Sequence, residues 1–566
     1  MVKQEFLTID GIPVAIEGEK NILELIRKVG LKLPTFCYHS ELSIYGACRM
    51  CMVETPRGME AACSTPPKAG MDIRTNTERL RKYRKMILEL LLANHCRDCT
   101  TCGNNGSCKL QDLAMRFGID RVRFPNTAAE PKLDESSVSI VRDQNKCILC
   151  GDCVRMCNEV QNVGAIDFAH RGAKMTISTA FEVPIAESPC VGCGQCAAVC
   201  PTGAIVVKND TAKVWALLDD PDVKVTAQIA PAVRVGLGKE MGMAPGENAI
   251  GKLVAALKHM GFDEVYDTST GADLTVLEES NELLRRLEEG EHDWPLFTSC
   301  CPAWVQFCEK NYPELMGNVS TCKSPMEMFA AVIRENNRTA GRRKAVHVAI
   351  MPCTAKKFEA ARSEFCSGEG QDVEYVLTTQ ELIRMVKESG VVFSELVPEA
   401  VDMPFAYKTG AGVIFGVTGG VTEAVLRRLA SDKSATALKT LAFQGVRGLE
   451  GVKETTVPYG ERNLRIAIVS GLGNASALIE RIRGGEHYDF VEVMACPNGC
   501  ISGGGQPFAH AEEQAERSEG LYKADQVSRI KRSEENPLMM ELYGGLLKGK
   551  VHELLHVEYP LAKGVE

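Results

Sequence analysis

The chain has 566 residues, 45% apolar and 25% charged, a balance that excludes wholesale disorder and fibrous repeats. A net charge of -9 and a pI near 5.8 exclude a general nucleic-acid binder. The 24 cysteines are too sparse for a small disulfide scaffold and too many for an ordinary cytosolic enzyme, so metal chemistry is expected of them.

A length of this order predicts about four domains. Residues 1–7 contain no charged segment leading into an apolar run, so no secretory signal is expected. No apolar stretch reaches the roughly 18 residues of a membrane span. Unexported and cysteine-rich, the chain points to thiolate–metal chemistry in a reducing cytoplasm.

In chain order, residues 5–9 read as a strand, Asp10-Gly11 as a turn, then come a second short strand and a helix over 22–26. This is a small α+β domain over residues 1–78. It contains Cys37, Cys48, Cys51 and Cys63, spaced C-x10-C-x2-C-x11-C. Four thiolates suit a 2Fe-2S cluster, because iron in such sites is tetrahedral and sulfur-loving. A structural zinc site is the alternative on ligand type alone.

Residues 79–125 carry His95, Cys99, Cys102 and Cys108. Three thiolates and an imidazole hold either zinc or a 4Fe-4S cluster, and the position among other iron-sulfur motifs favours the cluster. Residues 137–210 carry Cys147, Cys150, Cys153 and Cys157, then Cys190, Cys193, Cys196 and Cys200 followed by Pro201. This is the repeat of a two-cluster bacterial ferredoxin, in which the last cysteine of each run ligates the other cluster. One 4Fe-4S cluster is therefore assigned to Cys147, Cys150, Cys153 and Cys200, the other to Cys190, Cys193, Cys196 and Cys157. Together these domains read as an electron wire.

Residues 79–123 hold ten Lys and Arg against four Asp and Glu. Arg79, Arg81, Lys82, Arg84 and Lys85 crowd one helical stretch, a surface that would steer an acidic ferredoxin. A solvated helix face is the plain alternative.

From residue 223 strands and helices alternate. Strands are expected over 223–229, 262–267, 295–298, 346–351, 374–377, 464–469 and 490–494, with helices over 248–260 and 273–289. Such alternation implies α/β lobes with largely parallel sheets. Cysteines stand where strands end: Cys300-Cys301-Pro302, Pro352-Cys353-Thr354, and Cys496-Pro497-Asn498-Gly499-Cys500 before Gly503-Gly504-Gly505. Ligands of open α/β sheets collect at the carboxyl ends of strands, so the three loops are expected to share one buried site. The glycine run is expected to admit a bulky cofactor close to the backbone.

These loops, with the order of the N-terminal cluster motifs, resemble the iron-only (FeFe) hydrogenases over nearly the whole chain. The chain looks like the long, clostridial-type monomeric form with four accessory clusters. The resemblance implies an N-terminal β-grasp ferredoxin domain, a small 4Fe-4S domain with one histidine and three cysteine ligands, and a two-cluster ferredoxin domain. A large two-lobed α/β catalytic domain over 211–507 follows, with a helical segment over 508–566 packing back on it.

It implies an H-cluster, a 4Fe-4S cubane joined through a cysteine to a two-iron unit bearing CO, cyanide and a bridging dithiolate amine. By motif, Cys301, Cys353, Cys496 and Cys500 would ligate the cubane, and Cys500 would also bridge to the two-iron unit. Cys300 would stay free and pass protons, and Lys356 would donate to a cyanide nitrogen. Met351, Met494, Pro231, Ala230 and Phe415 would wall the cavity together with Phe297; plain core is the bland reading of the methionines and aromatics. The proton relay would run through Cys300, Glu279, Ser320, Glu282 and Arg286. Carboxylates suit that work because burial raises their pKa toward neutrality, although a solvated charged face explains the same helix pattern. Two departures from the family pattern are Ala303, where Gly is usual, and Pro497-Asn498 before Gly499.

The activity implied is reversible reduction of protons to H2 with electrons from ferredoxin. Hydrogenase maturation enzymes are implied partners, and about 20 iron atoms per chain are implied. Alternatives are the catalytic subunit of an NADH- and ferredoxin-linked complex, a non-catalytic iron-sulfur electron-transfer subunit, and a hydrogen sensor. No nucleic acid or membrane partner is expected. His552-Glu553-Leu554-Leu555-His556 matches a zinc-protease helix, but its leucines fit a packing helix better. Gly471-Leu472-Gly473-Asn474 gives only weak support for a dinucleotide loop. Cys96, Cys308, Cys322 and Cys366 are expected as small buried filler.

Overall fold

The computed structural model describes residues 5–126, 132–290, 293–341, 345–366, 370–430 and 445–559. They divide into two compact units. The first comprises residues 1–160, 164–188 and 199–206, the second 161–163, 189–198 and 207–566.

In the first unit, β1 (Glu5–Ile9) pairs antiparallel with β2 (Ile12–Ile16). The turn Asp10-Gly11 makes this possible, since both residues have positive φ, 48° and 85°. Helix α1 (Ile22–Lys28) is capped by Asn21, whose side chain accepts the Glu24 amide, and buries Ile22, Leu23, Leu25 and Ile26. The hairpin β3 (Met52–Thr55) and β4 (Gly58–Ala61) follows. Strand β5 (Asp72–Ile73) then pairs parallel with β1. The long helix α2 (Glu78–Ala93) and the shorter α3 (Lys109–Arg116) frame the His95 region. Beyond them lie a sheet of order β10-β7-β6, from Ile205–Val207, Ile140–Asp143 and Leu133–Asp134, and the hairpin β8 (Asp167–Ala169) and β9 (Thr176–Ser178).

The second unit is built on two four-stranded sheets. The first has order β12-β11-β14-β15, from Glu264–Asp267, Lys224–Ile229, Ala345–Met351 and Tyr375–Thr378, and is wholly parallel. Its strands are buried on both faces, as the apolar run Val346 to Met351 requires. The second has order β13-β18-β17-β16, from Leu296–Phe297, Phe490–Met494, Arg462–Ser470 and Val452–Tyr459. Its first three strands are parallel, and β16 closes the edge antiparallel to β17. The expected parallel character thus holds except at this edge. Strand β16 escaped the sequence pattern because two of its inward residues, Lys453 and Thr455, are polar. Lys453 is accommodated by donating to the Thr418 and Gly448 carbonyls at 3.0 and 2.9 Å.

Helices α4 (Ile250–His259) and α5 (Ser269–Glu289) cover the sheets, with α6 (Pro302–Asn311) and α7 (Pro325–Thr339). Helix α5 starts four residues before the expected position, and all of its first twelve residues are buried. Gly271 lets α5 and α7 approach: a Cβ there would stand 2.1 Å from the Pro325 carbonyl oxygen. Further along lie α8 (Ala355–Ala360), α9 (Thr379–Glu388), α10 (Gly420–Leu429) and α11 (Leu472–Arg483).

The C-terminal segment forms α12 (Ala511–Val527), α13 (Pro537–Gly544) and α14 (Val551–Leu555). Leu538, Leu542, Leu554 and Leu555 pack with Tyr266, Leu274 and Phe329. Residues 560–566 of this segment lie outside the described residues. No helix among the described residues is long and apolar enough to cross a membrane.

Candidate active site

All 24 cysteines are free of disulfides, and they gather in two kinds of place. In the first unit they occupy loops and short helical turns, with Cys153 inside Asp152–Arg155 and Cys157 inside Met156–Val160. Backbone amides donate to their sulfurs: Phe36 to Cys48 at 3.5 Å, Cys48 to Cys37 at 3.3 Å, Leu149 to Cys147 at 3.4 Å and Ala165 to Cys157 at 3.4 Å. Such donors favour thiolate over thiol and are the bonds that tune iron-sulfur potentials.

The side-chain hydrogen bond with Cys37 lowers the Cys48 pKa to about 5, and the bond with Cys63 lowers that of Cys51. Cys147, Cys150, Cys153 and Cys200 border one cavity of about 30 Å³. His95 is buried and its pKa is lowered by burial, so the ring is neutral. Its Nδ1 accepts the Arg97 amide at 3.1 Å, while Nε2 has no hydrogen-bond partner. A neutral buried imidazole with an orphaned nitrogen suits a metal ligand. In the second unit the Gly192 amide donates to the Cys190 sulfur at 3.4 Å.

The other place is a cavity of about 90 Å³ in the second unit, at the carboxyl ends of strands from both sheets. Strand β11 delivers Ala230 and Pro231, and β14 delivers Met351 and Cys353. Strand β13 leads to Cys300 and Cys301, and β18 to Met494, Cys496 and Cys500; all of these line the cavity, as do Phe415 and Lys356. Phe297 does not. It is buried against Trp304, ring centroids 5.5 Å apart, because the strand's alternation turns it into the core.

The cavity wall is mostly apolar, and the pKa values of its four thiols Cys301, Cys353, Cys496 and Cys500 are all raised. Burial is the larger cause throughout, with the neighbouring thiols second for Cys353, Cys496 and Cys500; Cys353 reaches about 12. A crowd of buried thiols is poor design for ionisation and good design for a cationic iron load, which deprotonates its ligands outright. Among the described residues no three His, Cys, Asp or Glu side chains close on a single ion. The thiols border volumes instead, as cluster ligands must. The residues fit the cofactor.

Lys356 Nζ donates to Glu359 Oε2 at 2.6 Å and to the Cys300 carbonyl at 3.3 Å. Glu359 raises the lysine's pKa against burial, so the ammonium persists at the wall. Sequence reading did not single out Glu359; its position three residues after Lys356 on a helix was the available signal.

The glycine run behaves differently from expectation. Gly503 lines the cavity, but a Cβ on Gly503 or Gly504 would meet the Pro352 or Cys193 carbonyl at 2.2 or 2.4 Å. These glycines bring backbone close to backbone. Asn498 takes φ 66°, a left-handed conformation that Asn tolerates, so the departure from glycine there keeps the loop's path. Ala303 sits fully in the core beside Trp304.

Glu279 on α5 is completely buried. Burial pushes its pKa to about 8, despite the Ser299 amide donating to Oε1 at 3.3 Å, and Oε2 has no partner. Cys300 beside it is raised by burial first and by Glu279 second. One turn along, Glu282 Oε2 accepts from Ser320 Oγ at 2.6 Å. Arg286, half-buried, donates to the Trp294 carbonyl and Asn318 Oδ1 at 2.8 and 3.0 Å. The inner end of this helix face is therefore buried and not the solvated surface that the charge pattern alone favoured.

Cys322, expected as filler, is fully buried beside this row, its amide donating to Ser320 Oγ at 3.2 Å. Cys308 is also buried, Cys96 is half-buried, and Cys366, which forms a β-bridge with Gln371, is exposed, contrary to expectation. On α2, Arg79, Arg81, Lys82 and Lys85 are exposed, but Arg84 turns inward to donate to the Met50 and Met52 carbonyls at 3.3 and 2.7 Å. His556 bonds Thr321 Oγ1 at 2.8 Å and Glu278 Oε2 at 3.1 Å, so its ring serves to anchor the C-terminal segment.

Comparison with known proteins matches residues 223–504 to the iron only hydrogenase large subunit, C-terminal domain, and 511–560 to the iron hydrogenase small subunit. Residues 6–78 match a 2Fe-2S iron-sulfur cluster binding domain, 84–123 the NADH-ubiquinone oxidoreductase-G iron-sulfur binding region, and 146–204 a 4Fe-4S dicluster domain. The chain is 41% identical to the NADP-reducing hydrogenase subunit HndD of Solidesulfovibrio fructosivorans, covering 98% of each. It is 32% identical to iron hydrogenase 1 of Clostridium pasteurianum, over 98% of this chain and 99% of that protein. A solved FeFe-hydrogenase variant from Chlamydomonas reinhardtii superposes with TM-score 0.53 at 38% identity, over 62% of this chain and 99% of that one.

Proposed function

Because the chain belongs to the iron-only hydrogenase family, we propose that it catalyses the reversible reduction of protons to H2, with electrons arriving through its own iron-sulfur clusters. The observation that carries this is the single cavity bordered by Cys300, Cys301, Cys353, Cys496, Cys500 and Lys356. When bound there, the H-cluster supplies the iron site at which protons and electrons combine. Cys301, Cys353, Cys496 and Cys500 would hold it, and Lys356, charged by Glu359, would grip a cyanide. Met351, Met494, Ala230, Pro231 and Phe415 exclude water around it.

The chain's own part in the chemistry is proton delivery. With a pKa near 8, Glu279 both gains and loses a proton close to neutrality. It would pass protons to the Cys300 sulfur. Ser320 and Glu282, already hydrogen-bonded, would resupply it from the Arg286 end. One 2Fe-2S cluster on Cys37, Cys48, Cys51 and Cys63 and three 4Fe-4S clusters would form the wire. These would be held by the His95 set and by the two ferredoxin-type sets. Cysteines grouped as cluster ligands suit a reducing cytoplasm.

Ferredoxin is the proposed carrier, docking on the exposed basic face of α2. A second reading, in which the chain is the hydrogen-converting subunit of a nicotinamide-linked complex, draws on its similarity to an NADP-reducing hydrogenase subunit. The deciding experiments are infrared spectroscopy and carrier assays on protein matured anaerobically with maturation enzymes. Bands of iron-bound CO and cyanide support the H-cluster, and their absence refutes it. H2-dependent reduction of ferredoxin by the isolated chain, without nicotinamide reduction, supports the first carrier; nicotinamide reduction only in the native assembly supports the second.

A further inference from the structure

Helix α6 begins at Cys301, which caps it, and ends beside the segment that bears Cys190. Its Pro302–Asn311 span of ten residues is about 15 Å long. One end of this helix thus belongs to the active cavity and the other to a proposed wire ligand. The carboxyl end of a helix carries partial negative charge, which opposes addition of an electron nearby. At that end Lys310 Nζ donates to the Cys190 carbonyl at 2.7 Å.

Lys310 is the basic residue of the last turn, where a cation offsets the helix dipole. The adjacent Glu309 is paired with Arg362 at 2.7 and 2.9 Å, an arginine it shares with Glu364, while the ammonium of Lys310 is directed to the Cys190 carbonyl. The same segment is pinned elsewhere. Thr354 Oγ1, next to Cys353, donates to the Gly192 carbonyl at 2.7 Å, and Gln195 Nε2 donates to the Ser502 carbonyl at 3.0 Å. The hydrogen bond holds the exposed Lys310 ammonium at a fixed distance from the Cys190 segment, close enough that part of its field survives solvent screening.

We propose that Lys310 is a tuning residue for the cluster ligated by Cys190, Cys193 and Cys196, its ammonium raising that cluster's reduction potential and holding an electron next to the active cavity. The step is a one-electron reduction in which no bond is made or broken, and the positive charge stabilises the reduced, more negative form. The proposal rests on the ligand reading above.

Redox titration of the full matured chain, followed by electron paramagnetic resonance, tests it. The signal that Cys190→Ser removes or alters identifies the cluster. In Lys310→Met that signal should titrate at lower potential. At the wild-type midpoint its reduced-to-oxidised ratio should fall about tenfold, or about 59 mV for one electron. Lys310→Arg should restore the wild-type value, and the other signals and the infrared bands should not move. A Lys310→Met protein that titrates as wild type, or in which every signal shifts together, overturns the tuning role alone. A Cys190→Ser protein with every signal intact overturns the ligand reading and the tuning role with it.

Discussion

The wire cysteines and the cavity cysteines solve opposite problems. Those of the wire lie in loops and short helical turns, several of them half-buried, with amides aimed at some of their sulfurs. Three of the four ligands can be gathered there by local chain, as the spacing of Cys147, Cys150 and Cys153 does for the 30 Å³ cavity, with only Cys200 brought from the second cysteine run. The cavity cysteines come from β13, β14 and β18 on two different sheets, and only the assembled lobes bring them together. A wire site is thus a short-range device, whereas the active cavity is a property of the whole catalytic unit.

The largest effect should come from breaking the cavity. Cys353→Ser is expected to abolish H2 turnover and the CO and cyanide infrared bands. Cys37→Ser should remove the 2Fe-2S resonance and leave those bands intact. Equal loss of the bands in both variants would collapse the distinction between the two regions.

Proton delivery comes next. Glu279→Gln or Cys300→Ser should lower turnover by about 10²–10⁴-fold, with all clusters retained by iron analysis and infrared spectra. The Glu279 carboxyl, ordinarily near 4.5, stands near 8 in the folded chain. Between those values the folded form keeps a proton that the unfolded form has released, so stability falls as pH rises across that window. Denaturant midpoints measured from pH 5 to 8 should fall less steeply in Glu279→Gln than in wild type, within about one unit of those limits.

Packing of the C-terminal segment sets a smaller scale. Leu555→Ala, at a fully buried position, should destabilise the catalytic unit by about 2–5 kcal/mol in chemical denaturation. The wire's cysteine-loop resonances should survive in the same protein. The smallest effect should come from the exposed face of α2. Arg81→Glu with Lys82→Glu should raise the KM for ferredoxin several-fold at low salt and leave turnover with a small artificial donor unchanged. No change at any ionic strength would remove that face from carrier docking.

Strand-end cysteines were legible because proline and cysteine interrupt an apolar run wherever a buried strand gives way to a loop, as at Met351-Pro352-Cys353. Strand β16 was not legible, since the partners that satisfy Lys453 lie at residues 418 and 448. Arg84 reads as one more surface cation in a basic helix, yet it faces inward because the Met50 and Met52 carbonyls need donors. The role of the glycines at 503 and 504 was half visible: glycine marks close approach, but what approaches is decided by the fold.

The cysteine spacing and the α/β alternation were legible in the sequence alone, because motif spacing and strand periodicity are local properties of the chain. The burial that lifts Glu279 to about 8 and the convergence of both sheets on one cavity were decided only by the tertiary structure. Desolvation and charge pairing depend on what surrounds a residue in space, and those surroundings come from segments hundreds of positions apart.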